Sequence, residues 1–246
     1  MVALCEEIQA SKILDVGAGL YPFEKATHVL DLRDEKEFHG VSPQSSDSRH
    51  WTTVDICGRE PWPFPDKFFD FCICSHVLED IRDPLWVCSE MSRVAKRGYI
   101  ETPNRRVESS FSVSSALFTG WPHHRWFVEI VGQGLRFTHK TNMLNAYPEL
   151  CFEMPQDWTR EMVQLFWTDR IECSEVSFLA TEQILDNLLA FKESTLTMSQ
   201  RGRLRTKVFQ KGMGHEHPGS IVTKIKRRIL HSGWMLYRRL NTAFWS

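Results

Sequence analysis

Short apolar runs, each cut off by glycine, proline or an acid, dominate the first hundred residues. Ile13-Leu14-Asp15-Val16 ends in Gly17-Ala18-Gly19, and His28-Val29-Leu30 ends in Asp31. Runs this short, rich in branched side chains and bounded by breakers, predict buried strands. Trp51–Cys57 predicts a third strand ending at Asp55, after a polar loop over 34–50. Phe69–Cys74 predicts a fourth strand, fed by the proline-rich Pro61–Asp66, and Gly98–Thr102 a fifth, closed by Pro103-Asn104. Between the fourth and fifth, His76 to Val94 repeats its apolar residues at helical spacing. Pro84 interrupts that repeat, so a turn is expected first and a helix from Pro84 onward. A short helix is expected over residues 1–11. Only about nine residues separate Gly19 from the second strand. A crossover normally needs ten or more, so the first helix is expected to shrink to about a turn, with Pro22 near its start.

Two strands joined by a glycine turn open a doubly wound α/β sheet, whose ligands sit outside the carboxyl ends of the strands. Gly17 and Gly19 permit a tight turn and a close ligand. Asp31, ending the second strand, is placed to accept hydrogen bonds from a ribose diol. Such turns serve nicotinamide cofactors and S-adenosylmethionine alike, and also occur as plain tight turns. Two details lean away from a dinucleotide. The third glycine of Gly-x-Gly-x-x-Gly is missing: Pro22 stands in its place, followed by Phe23-Glu24. Asp15 would repel a pyrophosphate but suits a ligand carrying an ammonium and a sulfonium.

The remaining segments extend the pattern in order: Val54-Asp55-Ile56, Pro63-Phe64-Pro65-Asp66-Lys67-Phe68-Phe69-Asp70, Ser75-His76-Val77-Leu78-Glu79-Asp80 and Glu90-Met91-Ser92-Arg93-Val94. With the glycine turn they resemble the class I S-adenosylmethionine-dependent methyltransferases, specifically the type 11 group, over about residues 11–104. The resemblance implies a Rossmann-like seven-stranded sheet and S-adenosyl-L-methionine as cofactor. It implies that Asp15, Gly17 and Gly19 line the methionine moiety and that Asp31 holds the ribose, with Leu32 beside the adenine. Asp55 would accept from the adenine amino group, Ile56 would pack on the ring, and Ser75 and His76 would border the sulfonium. Read alone, Asp55 is equally a turn-capping acid. The chain departs from the family pattern in its shortened first helix, in Leu20 where many relatives have glycine, and in Ala95-Lys96-Arg97-Gly98 after the helix.

Past Asn104 the resemblance fades. A serine-rich stretch in 105–124 reads as a lid or a loop, and Trp126–Lys140 as two strands joined at Gly132-Gln133-Gly134. Final strands are expected around Val163–Trp167 and Ile171–Phe178, then a helix over Thr181–Thr197. Methyl transfer needs alignment and, for a hydroxyl, a base. His123 and His124, in a cluster with Trp121, Arg125 and Trp126, are the first candidates for that base. His76 is the second and Glu101 the third, against the reading that the paired histidines are simply packed or solvated. His123, His124, His139 and Glu129 match no metal-binding spacing, and no metal is expected.

Charge divides the chain further. The whole carries 30 Lys/Arg and 31 Asp/Glu, a net −1. Residues 200–246 hold eleven Lys/Arg against the single acid Glu216, a net +10, which leaves −11 for the rest. After GMGHEHPGS, apolar residues Ile221, Val222, Ile225, Ile229, Leu236 and Leu240 recur between Lys/Arg. That predicts a basic amphipathic helix, which either grips an anionic membrane surface or packs on the protein; nucleic acid fits less well, since no nucleic-acid module accompanies it. The expected organisation is a methyltransferase domain over 1–198, with its cofactor half at 11–104 and a substrate and lid region at 105–160, followed by the tail 199–246. The seven scattered cysteines, the lack of a signal-peptide layout and the absence of an apolar run near ~20 residues point to the cytoplasm, with the tail peripheral to the membrane's inner face. The expected activity is methyl transfer to oxygen or nitrogen of a small-molecule or glycan-type acceptor. The alternative is an inactive methyltransferase-like scaffold that works through its tail.

Overall fold

All four residues of β1 (Ile13–Val16) are buried, as are three of the four in β2 (His28–Asp31), so both strands lie inside a sheet covered on two faces. They belong to a computed structural model that describes residues 12–33, 49–114 and 117–214. The helix expected over 1–11, most of the loop 34–50 and the amphipathic helix of the tail lie outside the described residues. With β3 (His50–Thr53), β4 (Phe71–Ser75), β5 (Arg97–Pro103) and, further on, β8 (Met162–Thr168), these strands form a six-stranded sheet in the order β3-β2-β1-β4-β5-β8. Only β8 runs antiparallel. The carboxyl ends of β1 to β5 therefore share one edge, where Ser75 stands opposite Glu101 and Asp31 opposite Thr53.

The helix begins where the sequence places it. Helix α1 spans Pro84–Val94, with Pro84 in its first turn and the Asp83 side chain accepting from Trp86 N at 3.1 Å. It buries Val87, Cys88, Met91 and Val94 in one cluster with Leu14, Cys72, Cys74 and Ile100. Its Glu90 and Arg93 tie down the proline-rich loop: Glu90 accepts from Trp62 N at 2.7 Å, and Arg93 donates to Trp62 O at 3.0 Å and Phe64 O at 2.8 Å. Among the described residues no helix stands between β1 and β2.

Two expectations are corrected. A seven-stranded sheet was expected, but the described residues place six strands in the main sheet. The hairpin β6 (Trp126–Val131) and β7 (Gly134–His139) instead forms a second sheet with β9 (Cys173–Val176). Gly134 permits this, because a Cβ there would lie 2.4 Å from Glu172 O, where β9 approaches β7. The third strand stops at Thr53 rather than Asp55, because the chain turns at Asp55, whose carbonyl accepts from Gly58 N at 2.9 Å.

Short helices α2 (Arg105–Glu108) and α3 (Met143–Ala146) flank the hairpin in sequence, and α4 covers Thr181–Ser194. The chain divides into two compact units, residues 1–190 and 191–246, where the sequence had placed its boundary at 198/199. In the second unit, α5 (Met198–Gly214) starts at Thr197, whose N–H donates to Gln200 Oε1 at 2.9 Å, and Arg205 pairs with Glu193. Among the described residues no helix is long and apolar enough to cross a membrane.

Candidate active site

The glycine turn follows β1 directly. Gly17 (φ +69°) donates to Leu30 O at 2.8 Å, which pins the turn to β2. A Cβ at Gly17 would sit 2.6 Å from a Val77 methyl, so the turn rests on the residue next to His76. Gly19 (φ +58°) has nothing within 4 Å of its Cβ position, so its outer side is open to a ligand. Asp31 closes the turn from β2, accepting from Gly19 N at 3.0 Å and Arg33 N at 3.3 Å. Leu20, Tyr21 and Leu32 stand exposed beside it as an apolar lip.

Asp15 does not open onto that space. Its carboxylate is buried and accepts from Phe23 N at 2.7 Å. The reduced crossover leaves this N–H without a helical acceptor, and Asp15 supplies one. Burial pushes its pKa from 3.8 up to about 6, against the opposing Phe23 hydrogen bond and with a small added push from Asp31. A folded acid with a raised pKa binds its proton more tightly than the unfolded chain does. Its ionisation therefore removes stability as pH rises from about 4 to about 6. Asp15→Asn keeps an acceptor for Phe23, and is expected to flatten that slope and add about 2–3 kcal/mol at pH 7 in urea unfolding. An unchanged slope would mean that Asp15 titrates normally.

Asp55 and Ile56 also serve the fold. Asp55 Oδ1 accepts from Cys57 N at 2.9 Å and Oδ2 lies 3.5 Å from Arg82, although the carboxylate stays half-exposed toward solvent. Ile56 is buried in the core rather than offered to a ring. A cleft of about 800 Å³ opens beyond this turn, lined by Arg59, Arg82, Trp86 and Trp126 among others.

His76 follows Ser75 at the end of β4 in a left-handed conformation (φ +56°), which is costly for a residue other than glycine and recurs at functional sites. Its N–H continues the ladder to Glu101 O at 2.9 Å. Its half-exposed ring lies between two carboxylates: Nδ1 is 3.5 Å from Glu79 Oε1, and Nε2 is 3.7 Å from Glu101 Oε1. The Glu79 interaction raises the His76 pKa, against burial and with help from Glu101 and Glu108. Glu101 is held from behind by Tyr99 Oη at 2.5 Å and Gln164 Nε2 at 2.8 Å. Burial works to raise its pKa, but these donors outweigh it and keep Glu101 below the ordinary value, which makes it a weak base.

His124 lies in a separate buried group. Its Nδ1–H donates to Glu108 Oε1 at 2.6 Å, Lys140 Nζ donates to Glu108 Oε2 at 2.5 Å and to Trp121 O at 2.9 Å, and Trp121 stacks on the imidazole. Gly120 makes room for this group, since a Cβ there would lie 2.5 Å from Glu108 Oε2. His124 and Lys140 line a cleft of about 500 Å³ with Phe118, Thr141, Asn142 and Asn145. His123 is exposed and meets His124 edge-on. The groups adjoin through Glu79, whose carbonyl accepts from Arg125 N at 2.7 Å and Trp126 N at 3.0 Å. The four residues weighed for a metal are otherwise engaged in part. Glu129 pairs with Arg105 at 3.2 Å and Arg136 at 3.4 Å, and His139 packs on Trp126.

The sequence reading missed Glu79, Glu108 and Lys140. Glu79 left a trace, as an acid three residues after His76 within an apolar stretch. Glu108 and Lys140 left none, because 32 residues separate them.

The family model described as a methyltransferase domain matches residues 14–100, the stretch that holds the turn, Asp31, Asp55 and His76. The chain matches no curated protein sequence. Among solved structures it is similar to an S-adenosylmethionine-dependent methyltransferase from Thermotoga maritima, at 16% identity over 42% of this chain and 49% of that one, with a TM-score of 0.34. It is also similar to such a methyltransferase from Archaeoglobus fulgidus, at 16% identity over 50% and 59% with a TM-score of 0.36. A third, from Mesorhizobium loti, shares 14% identity over 52% and 56% with a TM-score of 0.32. The chain thus spans about half the length of these structures, and likenesses at such TM-scores add nothing to the family match. The open side of Gly19, the acid closing β2 and the apolar lip fit the cofactor of that family, S-adenosyl-L-methionine. Over residues 14–100 the chain is similar to the methyltransferase-domain family.

Proposed function

We propose that this protein methylates an oxygen or nitrogen of a small-molecule or glycan-type acceptor, with His76 as the base. The observation that supports this reading is His76 itself. It stands at the carboxyl end of β4, beside Val77, on which the glycine turn rests, in a left-handed backbone and between two carboxylates. Bound S-adenosylmethionine supplies an electrophilic methyl group, so the chain's own tasks are to align the acceptor, exclude water and take a proton. A histidine whose pKa is raised by neighbouring carboxylates suits the last task. Asp31 would hold the ribose hydroxyls, and Leu20, Tyr21 and Leu32 would cover the apolar faces of the cofactor. The cleft over His124 offers the acceptor neutral hydrogen-bonding groups from Thr141, Asn142 and Asn145. The tail is proposed to rest on an anionic membrane surface, a reading supported by its net +10 charge.

The first test is calorimetric titration with S-adenosylmethionine and, separately, with NAD. Binding of the former alone is expected, followed by a screen of hydroxyl and amine acceptors with methyl-labelled cofactor. Asp31→Ala is expected to weaken S-adenosylmethionine by about 1–3 kcal/mol, because a charged hydrogen-bond acceptor for the ribose is lost. Equal affinity in the variant would put the cofactor elsewhere, and binding of neither ligand would end the enzyme reading.

A further inference from the structure

Glu79 is fully buried, and among the described residues neither of its carboxylate oxygens finds a donor within hydrogen-bonding geometry. Buried polar atoms are almost always hydrogen-bonded, so two unmet oxygens on one side chain call for a reason. A lone carboxylate inside a protein is costly unless a cation or a proton compensates it. Among the described residues the group found beside it is the His76 imidazole, with Nδ1 at 3.5 Å from Oε1. The backbone fixes both partners. His76 takes its left-handed turn immediately after β4, and Glu79 is held by its carbonyl, which accepts from Arg125 and Trp126 at the start of β6.

We propose that Glu79 is a positioning residue for His76, holding its Nδ1–H so that Nε2, on the Glu101 side of the ring, is left to take the proton. This rests on the reading of His76 as the base. The two carboxylates beside the ring are not equivalent. Glu101 is committed to Tyr99 and Gln164, whereas among the described residues Glu79 has no other donor, so the proton on Nδ1 compensates it. The third acid acting on the ring, Glu108, is committed to His124 and Lys140. When Nε2 takes a proton from an acceptor hydroxyl or ammonium, the ring becomes a cation and Glu79 supplies the counter-charge already in place. No covalent bond to the protein forms. The proton leaves through Nε2 to solvent, past the exposed half of the ring.

The test is Glu79→Gln in the full-length protein, which preserves size and removes the charge. His76 is followed by NMR through its imidazole signals, assigned by their loss in His76→Asn. In Glu79→Gln the His76 signals are expected to titrate at lower pH than in the wild type, and the acid limb of the methyl-transfer profile is expected to move the same way. Affinity for S-adenosylhomocysteine, read by calorimetry, is expected to stay within about twofold, a change below 0.5 kcal/mol. In Glu79→Asp the carboxylate is shorter but charged, and His76 is expected to titrate between the two. A His76 titration identical in wild type and Glu79→Gln overturns the proposal. So does a Glu79→Asp protein that behaves like Glu79→Gln while remaining folded. Failure of the wild type to bind S-adenosylmethionine would instead overturn the methyltransferase reading, which the Glu79 titration does not touch.

Discussion

His76→Asn is expected to lower methyl transfer about 10²–10⁴-fold, the usual contribution of a positioned base, with the acceptor found in the screen. Asparagine is the appropriate replacement, because it is among the few residues that adopt φ +56° readily and so keeps the turn after β4. It cannot take up a proton. A loss confined to the maximal rate, with S-adenosylhomocysteine still bound, would locate the defect in chemistry rather than in assembly of the site. A decrease of less than about tenfold would remove His76 as the base and return attention to His124, whose imidazole is also backed by a carboxylate. Glu101→Gln separates the remaining candidate. Because Tyr99 and Gln164 hold that carboxylate ionised and engaged, its replacement is expected to act mainly through the His76 titration.

Glu108→Ala is expected to cost about 3–5 kcal/mol of folding stability, measured by urea unfolding at constant pH. Glu108 has no exposed surface, and its two oxygens take His124 Nδ1–H and Lys140 Nζ, whose side chains are themselves 9% and 8% exposed. Removing the carboxylate leaves the Lys140 ammonium, among the described residues, with Trp121 O as its remaining acceptor. Burial already lowers the Lys140 pKa against the pull of Glu108, so without Glu108 the lysine is expected to shed its proton at still lower pH. Glu108→Gln leaves acceptor and shape in place and should cost less. A loss below about 1 kcal/mol in the alanine variant would show that water reaches Lys140 and that the group is not sealed.

The local patterns determined a good part of this protein. β1, β2, β4 and β5, the shortened crossover and the start of α1 at Pro84 are legible because each depends on neighbours in sequence: a buried run, a breaker, a cap. The glycine turn and Asp31 are legible for the same reason, since a turn that joins two strands places its acid by chain length alone. Tertiary structure decided what separate segments do together. The sequence predicts a strand around Ile171–Phe178 but not its sheet, and the missing Cβ at Gly134 admitted it beside β7. Asp15 reads as a ligand residue in sequence, yet the unpaired N–H of Phe23 drew its carboxylate inward. The group of Glu108, His124 and Lys140 comes from three distant segments, and no spacing rule connects them. Sequence order fixes which atoms can bond along the chain, whereas burial fixes which charges must find each other across it. That is why the strands and the turn could be read in advance and the carboxylates around the histidines could not.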